Sequence, residues 1–219
     1  MSLKLKRQEI VNTGRKLLSE GLVTRSWGNI SVRVDDNNML ITPSGRTYDD
    51  LQEQEIVLMN YHTLTYDGKI KPSSEYRLHA EIYRKRDDIN AVIHTHQPNA
   101  STLAVARRQL PPVIDDMAQI IGPSVKVTKY AYSGTGKFAR QAVKYLRGRQ
   151  AVLLANHGAV CVGRNLEEAF VVTHILEKAA KAFIEAELIG GATHVSKVSA
   201  YWMHKMYLKK YSKMNEENR

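Results

Sequence analysis

The sequence predicts an α/β fold in which a mixed, mainly antiparallel sheet is covered by helices, and three observations predict it. Short apolar runs come in pairs early in the chain, separated by turn residues. From about residue 74 such runs alternate with amphipathic helical stretches. No Pro-, Gly- or Ser-rich linker, repeat or low-complexity run interrupts the 219 residues. Early hairpins argue against a doubly wound parallel sheet, and the length suits a single domain spanning 1–219.

Residues 4–20 place Leu5, Ile10, Val11, Leu17 and Leu18 near one face, with Gly21 as a stop, which predicts a helix. Two β-type runs, 30–34 and 39–42, flank Asp35-Asp36-Asn37-Asn38 and predict a hairpin. A second strand pair is expected at 56–59 and 63–66, before the turn Asp67-Gly68. Next come a helix from Ser74 to about Arg86, a strand over 91–95, a helix near 99–106, a strand over 125–131 and a helix over 135–147. Strands at 151–154 and 159–162 flank Asn156-His157-Gly158. A long helix from about Leu166 to Ile189 is stopped by Gly190-Gly191, and a last helix runs from about Val195 to Tyr211.

Composition narrows the chemistry. The first nine residues carry charge where a signal peptide needs an apolar core, and no apolar run reaches the ~18 residues of a membrane span, so a cytoplasmic protein is expected. Cys161 is the only cysteine, which excludes an internal disulfide and a thiolate zinc finger; a zinc site would have to use His and carboxylate. The net charge of +10 is concentrated in residues 61–150, where fifteen Lys and Arg face seven Asp and Glu. No nucleic-acid-reading motif accompanies Arg84-Lys85-Arg86, Arg107-Arg108 or the Arg140, Lys144, Arg147, Arg149 series, and solvated helix faces account for most of them.

Against that background His94-Thr95-His96 stands out. Alternate side chains of a strand share a face, so these two imidazoles stand side by side, and His157 from another strand end offers a third corner of a tetrahedron. Each histidine alone reads equally as an ordinary core or surface residue; together they have the geometry of a catalytic zinc site with one open position. Three segments supply small hydroxyl or amide side chains and open backbone for an anion: Gly28-Asn29-Ile30-Ser31, Thr42-Pro43-Ser44-Gly45 and Pro72-Ser73-Ser74-Glu75. Ser73 or Ser74 also reads as a plain helix cap, and Glu75 as complement to the helix dipole. Should Glu75 face the metal, it serves as a displaceable ligand and proton-transfer base.

These motifs, in this order and over nearly the whole chain, resemble the zinc-dependent class II sugar-phosphate aldolases of the fuculose-phosphate type. That superfamily also holds ribulose-phosphate 4-epimerase, methylthioribulose-phosphate dehydratase and the metal-free adducin head domain. The resemblance implies a three-layer α/β/α sandwich and a homotetramer with active sites between subunits. It implies one Zn2+ per subunit on His94, His96, His157 and Glu75, with Glu75 as catalytic acid/base. Asn29, Ser44, Gly45, Ser73 and Ser74 would bind the substrate phosphate, and Tyr211, or failing that Tyr207, would reach a neighbour's site.

The chain departs from the aldolase pattern at Asp116, where the fuculose-phosphate enzyme carries a tyrosine. Asp116 is therefore either the group that handles the aldehyde half's proton or part of a structural turn or ion pair. The activity implied is cleavage of a ketose 1-phosphate, of the L-fuculose 1-phosphate type, to dihydroxyacetone phosphate and an aldehyde through a metal-stabilised enediolate. Epimerisation of L-ribulose 5-phosphate or a sugar-phosphate dehydration is the alternative chemistry, and an adducin-like interaction module the non-enzymatic one. Neither nucleic acid nor membrane is expected as a partner.

Overall fold

The computed structural model describes residues 2–217, with side chains to residue 210. In chain order the elements are α1 (Leu3–Ser19), β1 (Asn29–Arg33), β2 (Asn38–Ile41), β3 (Val57–Asn60), α2 (Tyr76–Lys85), β4 (Ala91–Thr95), α3 (Pro98–Val105), α4 (Asp115–Ile120), β5 (Lys126–Val127), α5 (Gly136–Leu146), β6 (Ala151–Leu154), β7 (Gly158–Gly163), α6 (Leu166–Leu188) and α7 (Lys197–Glu217). The strands form one seven-stranded sheet in the order β3-β2-β1-β4-β7-β6-β5. Every neighbouring pair is antiparallel except β5 with β6. The sheet is thus mixed and mainly antiparallel, as expected.

Strand alternation separates the two cores. On one face Met39, Ile41, Val92, Val152, Leu154, Val160 and Val162 pack against Leu78, Ile82, Phe138, Ala142 and Leu146 of α2 and α5. On the other, Ile30, Val32, Leu40, Ala91 and Ile93 meet α1 and the start of α6, while Ala151, Leu153, Ala159 and Cys161 meet α3, α4 and α6. Both faces being buried, the central strands read as continuous apolar runs. The result is a three-layer α/β/α sandwich, with α7 packed on α4.

Four expectations need correction. The run 63–66 forms no strand: Tyr66 makes an isolated bridge to Met59, and Leu64 takes a positive φ of 64° that interrupts the ladder. The strand expected over 125–131 shrinks to Lys126–Val127, with Val125 bridged singly to Leu110. Asp115-Asp116 is not a loop turn but the first turn of the short helix α4, where two carboxylates suit the positive end of the dipole. Finally, neither Ser73 nor Ser74 is the N-cap of α2; that position is Glu75, although Ser73 Oγ does accept the Glu75 amide at 3.4 Å.

Candidate functional site

The site lies where β1, β4 and the β6–β7 turn meet the start of α2. Antiparallel register sets Asn29 of β1 opposite His94 of β4, and Thr95 of β4 opposite Ala159 of β7. Two glycines permit these approaches. Gly28 has φ +89°, and a Cβ there would sit 2.6 Å from the His94 carbonyl oxygen. A Cβ on Gly158 would overlap the Thr95 carbonyl oxygen and crowd the His96 ring. Asn156, with φ 55°, completes the turn that swings His157 back over the sheet.

The three predicted imidazoles converge. His94 Nε2 lies 2.9 Å from His96 Nε2 and 3.0 Å from His157 Nε2, and the His94 and His157 rings stack 9° from parallel. Glu75 closes the group, with Oε2 3.1 Å from His94 Nε2 and Oε1 3.1 Å from His157 Nε2. His94 donates its Nδ1 hydrogen to the Ala159 carbonyl at 2.8 Å, which leaves the Nε2 lone pair facing the cluster. Phe138 of α5 packs edge-on against His157 and walls the group off on one side.

Such an array is poorly explained by its own hydrogen bonds. The buried Glu75 Oε1 has no hydrogen-bond partner despite the imidazole nitrogen beside it. A tetrahedral ion with ligand bonds of about 2.05 Å requires donor separations of about 3.3 Å, close to the spacings found here. With His94 2.9–3.1 Å from each of the other three donors, and the three imidazole nitrogens within 4.8 Å of one another, the set fits a divalent cation among them.

The electrostatics agree. Burial by itself raises the Glu75 pKa, but His94 and His157 outweigh it and hold the carboxyl well below the usual carboxylate range. Burial, then the neighbouring His94 and His157, push the His96 imidazole down to about 3, so His96 is a neutral lone-pair donor at physiological pH. For His94 burial is opposed by the Glu75 carboxylate and the Ala159 carbonyl, and the net shift is upward.

The expected phosphate segments also meet. Pro43 and Pro72 form an antiparallel bridge, with Ser73 N–H donating to the Thr42 carbonyl and Ser44 N–H to the Lys71 carbonyl. The two hydroxyl-bearing loops therefore run side by side next to Glu75. Thr42 Oγ1 accepts the Ile30 amide and ties them to the segment around Asn29. Ser44, Gly45 and Ser74 are exposed, Ser73 is buried, and Gly45 at φ +74° opens onto free space. Asn29 is more committed: its amide donates to Glu75 Oε2 at 3.0 Å and its carbonyl oxygen contacts His79, so its second amide hydrogen is the side-chain donor left over.

Asp116 stands apart from the converging donors. Its carboxylate pairs with Lys178 of α6 at 2.9 Å, both side chains more than half exposed. Tyr207 is half-buried in α7, and the Tyr211 side chain lies outside the described residues. Sequence reasoning missed His79 and Phe138. The signal for His79 was available, since Glu75, His79 and Tyr83 recur at four-residue intervals along one helix.

Fold and donor set together define a class of protein, and comparison with known proteins agrees: residues 8–184 match the class II aldolase and adducin N-terminal domain, and the chain belongs to that family. Within it, relatives similar to this chain are named aldolases. The chain is 38% identical over 191 residues to a 5-deoxy-D-ribulose 1-phosphate aldolase of Bacillus thuringiensis, covering 87% of this chain and 89% of that one. It is 35% identical over 181 residues to the L-fuculose phosphate aldolase of Escherichia coli, covering 83% of each. A solved L-fuculose 1-phosphate aldolase superposes with a TM-score of 0.88 at 35% identity, over 92% of this chain and 95% of that one. By class the chain is a lyase of the aldolase type. No helix among the described residues is long and apolar enough to cross a membrane.

Proposed function

We propose that the protein is a zinc-dependent aldolase that reversibly cleaves a ketose 1-phosphate, of the L-fuculose or 5-deoxyribulose 1-phosphate type, into dihydroxyacetone phosphate and an aldehyde. The observation that carries this reading is the convergence of His94, His96, His157 and Glu75 beside two hydroxyl-lined loops. Those four residues would hold one Zn2+ per subunit. When bound, the cation supplies fixed positive charge beside the substrate carbonyl, where negative charge develops as the C3–C4 bond breaks.

The chain's own residues account for the rest. Ser44, Gly45, Ser73 and Ser74, with the spare amide hydrogen of Asn29, offer donors for the phosphate and fix the reacting carbons above the cluster. In cleavage the C4 hydroxyl loses its proton, the C3–C4 electron pair moves to the three-carbon fragment, and that fragment is protonated at C3. Glu75 has the position to carry the C3 proton, because it is buried, ionised and next to the donor cluster. The proton at C4 falls to Asp116, or to Tyr211 or Tyr207 from a neighbouring subunit, in a cytoplasmic homotetramer with sites between subunits. Both named relatives take deoxyketose 1-phosphates, which share the phosphate end and differ at the aldehyde end. In this reading the shared phosphate end lies on the hydroxyl-bearing loops beside Glu75 and the variable end lies toward Asp116.

Initial rates of dihydroxyacetone phosphate release from L-fuculose 1-phosphate and 5-deoxy-D-ribulose 1-phosphate test the reading. Release from at least one of them is expected. Epimer formation from L-ribulose 5-phosphate with no release from either ketose 1-phosphate would contradict it.

A further inference from the structure

Beneath Glu75 and Asn29 runs a ladder of polar side chains, Ser31, His79, Tyr83 and Arg33, that the reaction as described does not use. On α2 and its cap, Glu75, His79 and Tyr83 recur every four residues, and on β1 Asn29, Ser31 and Arg33 recur every second one. Four residues of helix advance about 6.0 Å and two of strand about 6.6 Å, so the two series stay in step. Asn29 lies between Glu75 and His79, and Ser31 between His79 and Tyr83. Arg33 then donates to the Tyr83 carbonyl at 2.9 Å and sits over the Tyr83 ring. His79 and Ser31 are fully buried, and Asn29 and Tyr83 nearly so.

The direction of every hydrogen bond follows from its end point. An ionised Glu75 only accepts, so Asn29 must present its amide nitrogen, at 3.0 Å from Oε2. The Asn29 oxygen then faces His79 Nε2, which must carry the hydrogen. His79 Nδ1 is left as an acceptor for the Ser31 hydroxyl at 2.6 Å, and Ser31 Oγ in turn accepts from the Tyr83 hydroxyl at 2.8 Å. Reversing any one bond leaves a buried donor facing a donor or an acceptor facing an acceptor.

We propose that His79 is a positioning residue for Glu75: its Nε2 hydrogen locks the Asn29 amide so that Asn29 orients the carboxylate, while Ser31 and Tyr83 fix the tautomer of His79. The proposal rests on Glu75 being the proton-transfer group of the reaction proposed above. Without the Nε2 donor, the Asn29 amide is free to turn over and present its oxygen to the carboxylate, which repels it. Burial, followed by the charge of nearby His94, pushes the His79 imidazole down to about 3 and keeps it neutral, as the lock requires.

Three variants and one spectrum test it. His79→Leu fills the space without a donor and should lower kcat about 10- to 100-fold, with a smaller rise in KM from the displaced Asn29 amide. Solvent deuterium exchange into C3 of dihydroxyacetone phosphate, a half-reaction that needs no aldehyde, should fall by the same factor. His79→Gln sets an amide nitrogen near the place of Nε2 and should restore most of both rates. His79→Asn reaches only the place of Nδ1 and should resemble the leucine variant. In the wild-type protein, imidazole nitrogen NMR should show His79 protonated at Nε2 and bare at Nδ1, a readout independent of turnover and of whether His79→Leu folds. Wild-type kcat in His79→Leu, equal losses in the Gln and Asn variants, or a proton on Nδ1 would each overturn the proposal. A wild-type protein that cleaves no ketose phosphate would instead defeat the proposed function, and the nitrogen spectrum would still decide the lock.

Discussion

Two regions of the molecule that the proposed reaction would use are built in opposite ways. At Glu75 each polar side chain is buried and its partners are dictated by neighbours down to Arg33; at Asp116 a single carboxylate on a six-residue helix reaches across open surface to Lys178. The contrast teaches where precision is invested. The geometry at the buried end is over-determined, and in the proposed reaction this end would meet the part common to all ketose 1-phosphates. At Asp116 the partner is an exposed lysine, so a substitution there disturbs little else, and in the proposed reaction it would touch the part of the substrate that differs among the named relatives.

The sharpest way to break the comparison is Glu75→Gln. It keeps the shape and the Asn29 neighbour but cannot take up a proton, so kcat should fall about 10²- to 10⁴-fold while the fold survives. Steady-state kinetics with a circular dichroism melt check both halves. Ser44→Ala probes the cradle beside the cluster. Loss of one hydrogen bond to a charged phosphate, about 1.5–3 kcal/mol, should raise KM about 10-fold or more with kcat nearly constant.

Acid sensitivity should also divide the two ends. Burial and then His94 depress the His79 pKa from 6.5 to about 3, so the unfolded chain binds the proton more readily between those values. The contribution is complete above the unfolded pKa and is lost as pH falls through that window, at about 1.4 kcal/mol per pKa unit. Urea titrations at several pH values should show stability declining on acidification, with a shallower decline in His79→Leu. A decline equally steep in that variant would remove His79 as a cause.

Asp116→Asn is expected to have the smallest effect on the fold. An exposed ion pair contributes about 0–1 kcal/mol, so the melting temperature should barely move. kcat should fall about 10-fold if the carboxylate serves the aldehyde end, and the ratio of rates between the two ketose phosphates should change. An unchanged ratio would mark the pair with Lys178 as purely structural.

What was legible in the sequence follows the same division. β1, β4 and β7 were readable because strands buried on both faces are continuous apolar runs, and the paired imidazoles at the end of one such run marked the site. β5 and the segment at 63–66 were over-read, because β-type residues at a sheet edge lack the neighbours that make a ladder. α4 was missed because six residues give too short a period to recognise, and its two aspartates left a catalytic role, a turn and an ion pair all open. The ladder beneath Glu75 was invisible for a different reason. Its helical half was plain at spacing four and its strand half at spacing two, but only tertiary packing brings the two series into step.

The central claim is that three distant imidazoles and Glu75 enclose one divalent cation on which turnover depends. Metal analysis of the purified protein, paired with aldol cleavage before and after chelation, tests it most directly. About one zinc ion per chain is expected, with activity abolished on its removal and restored by zinc, and with metal lost from His96→Ala. Undiminished cleavage by chelated, metal-free protein, or full metal content and turnover in His96→Ala, would contradict the account.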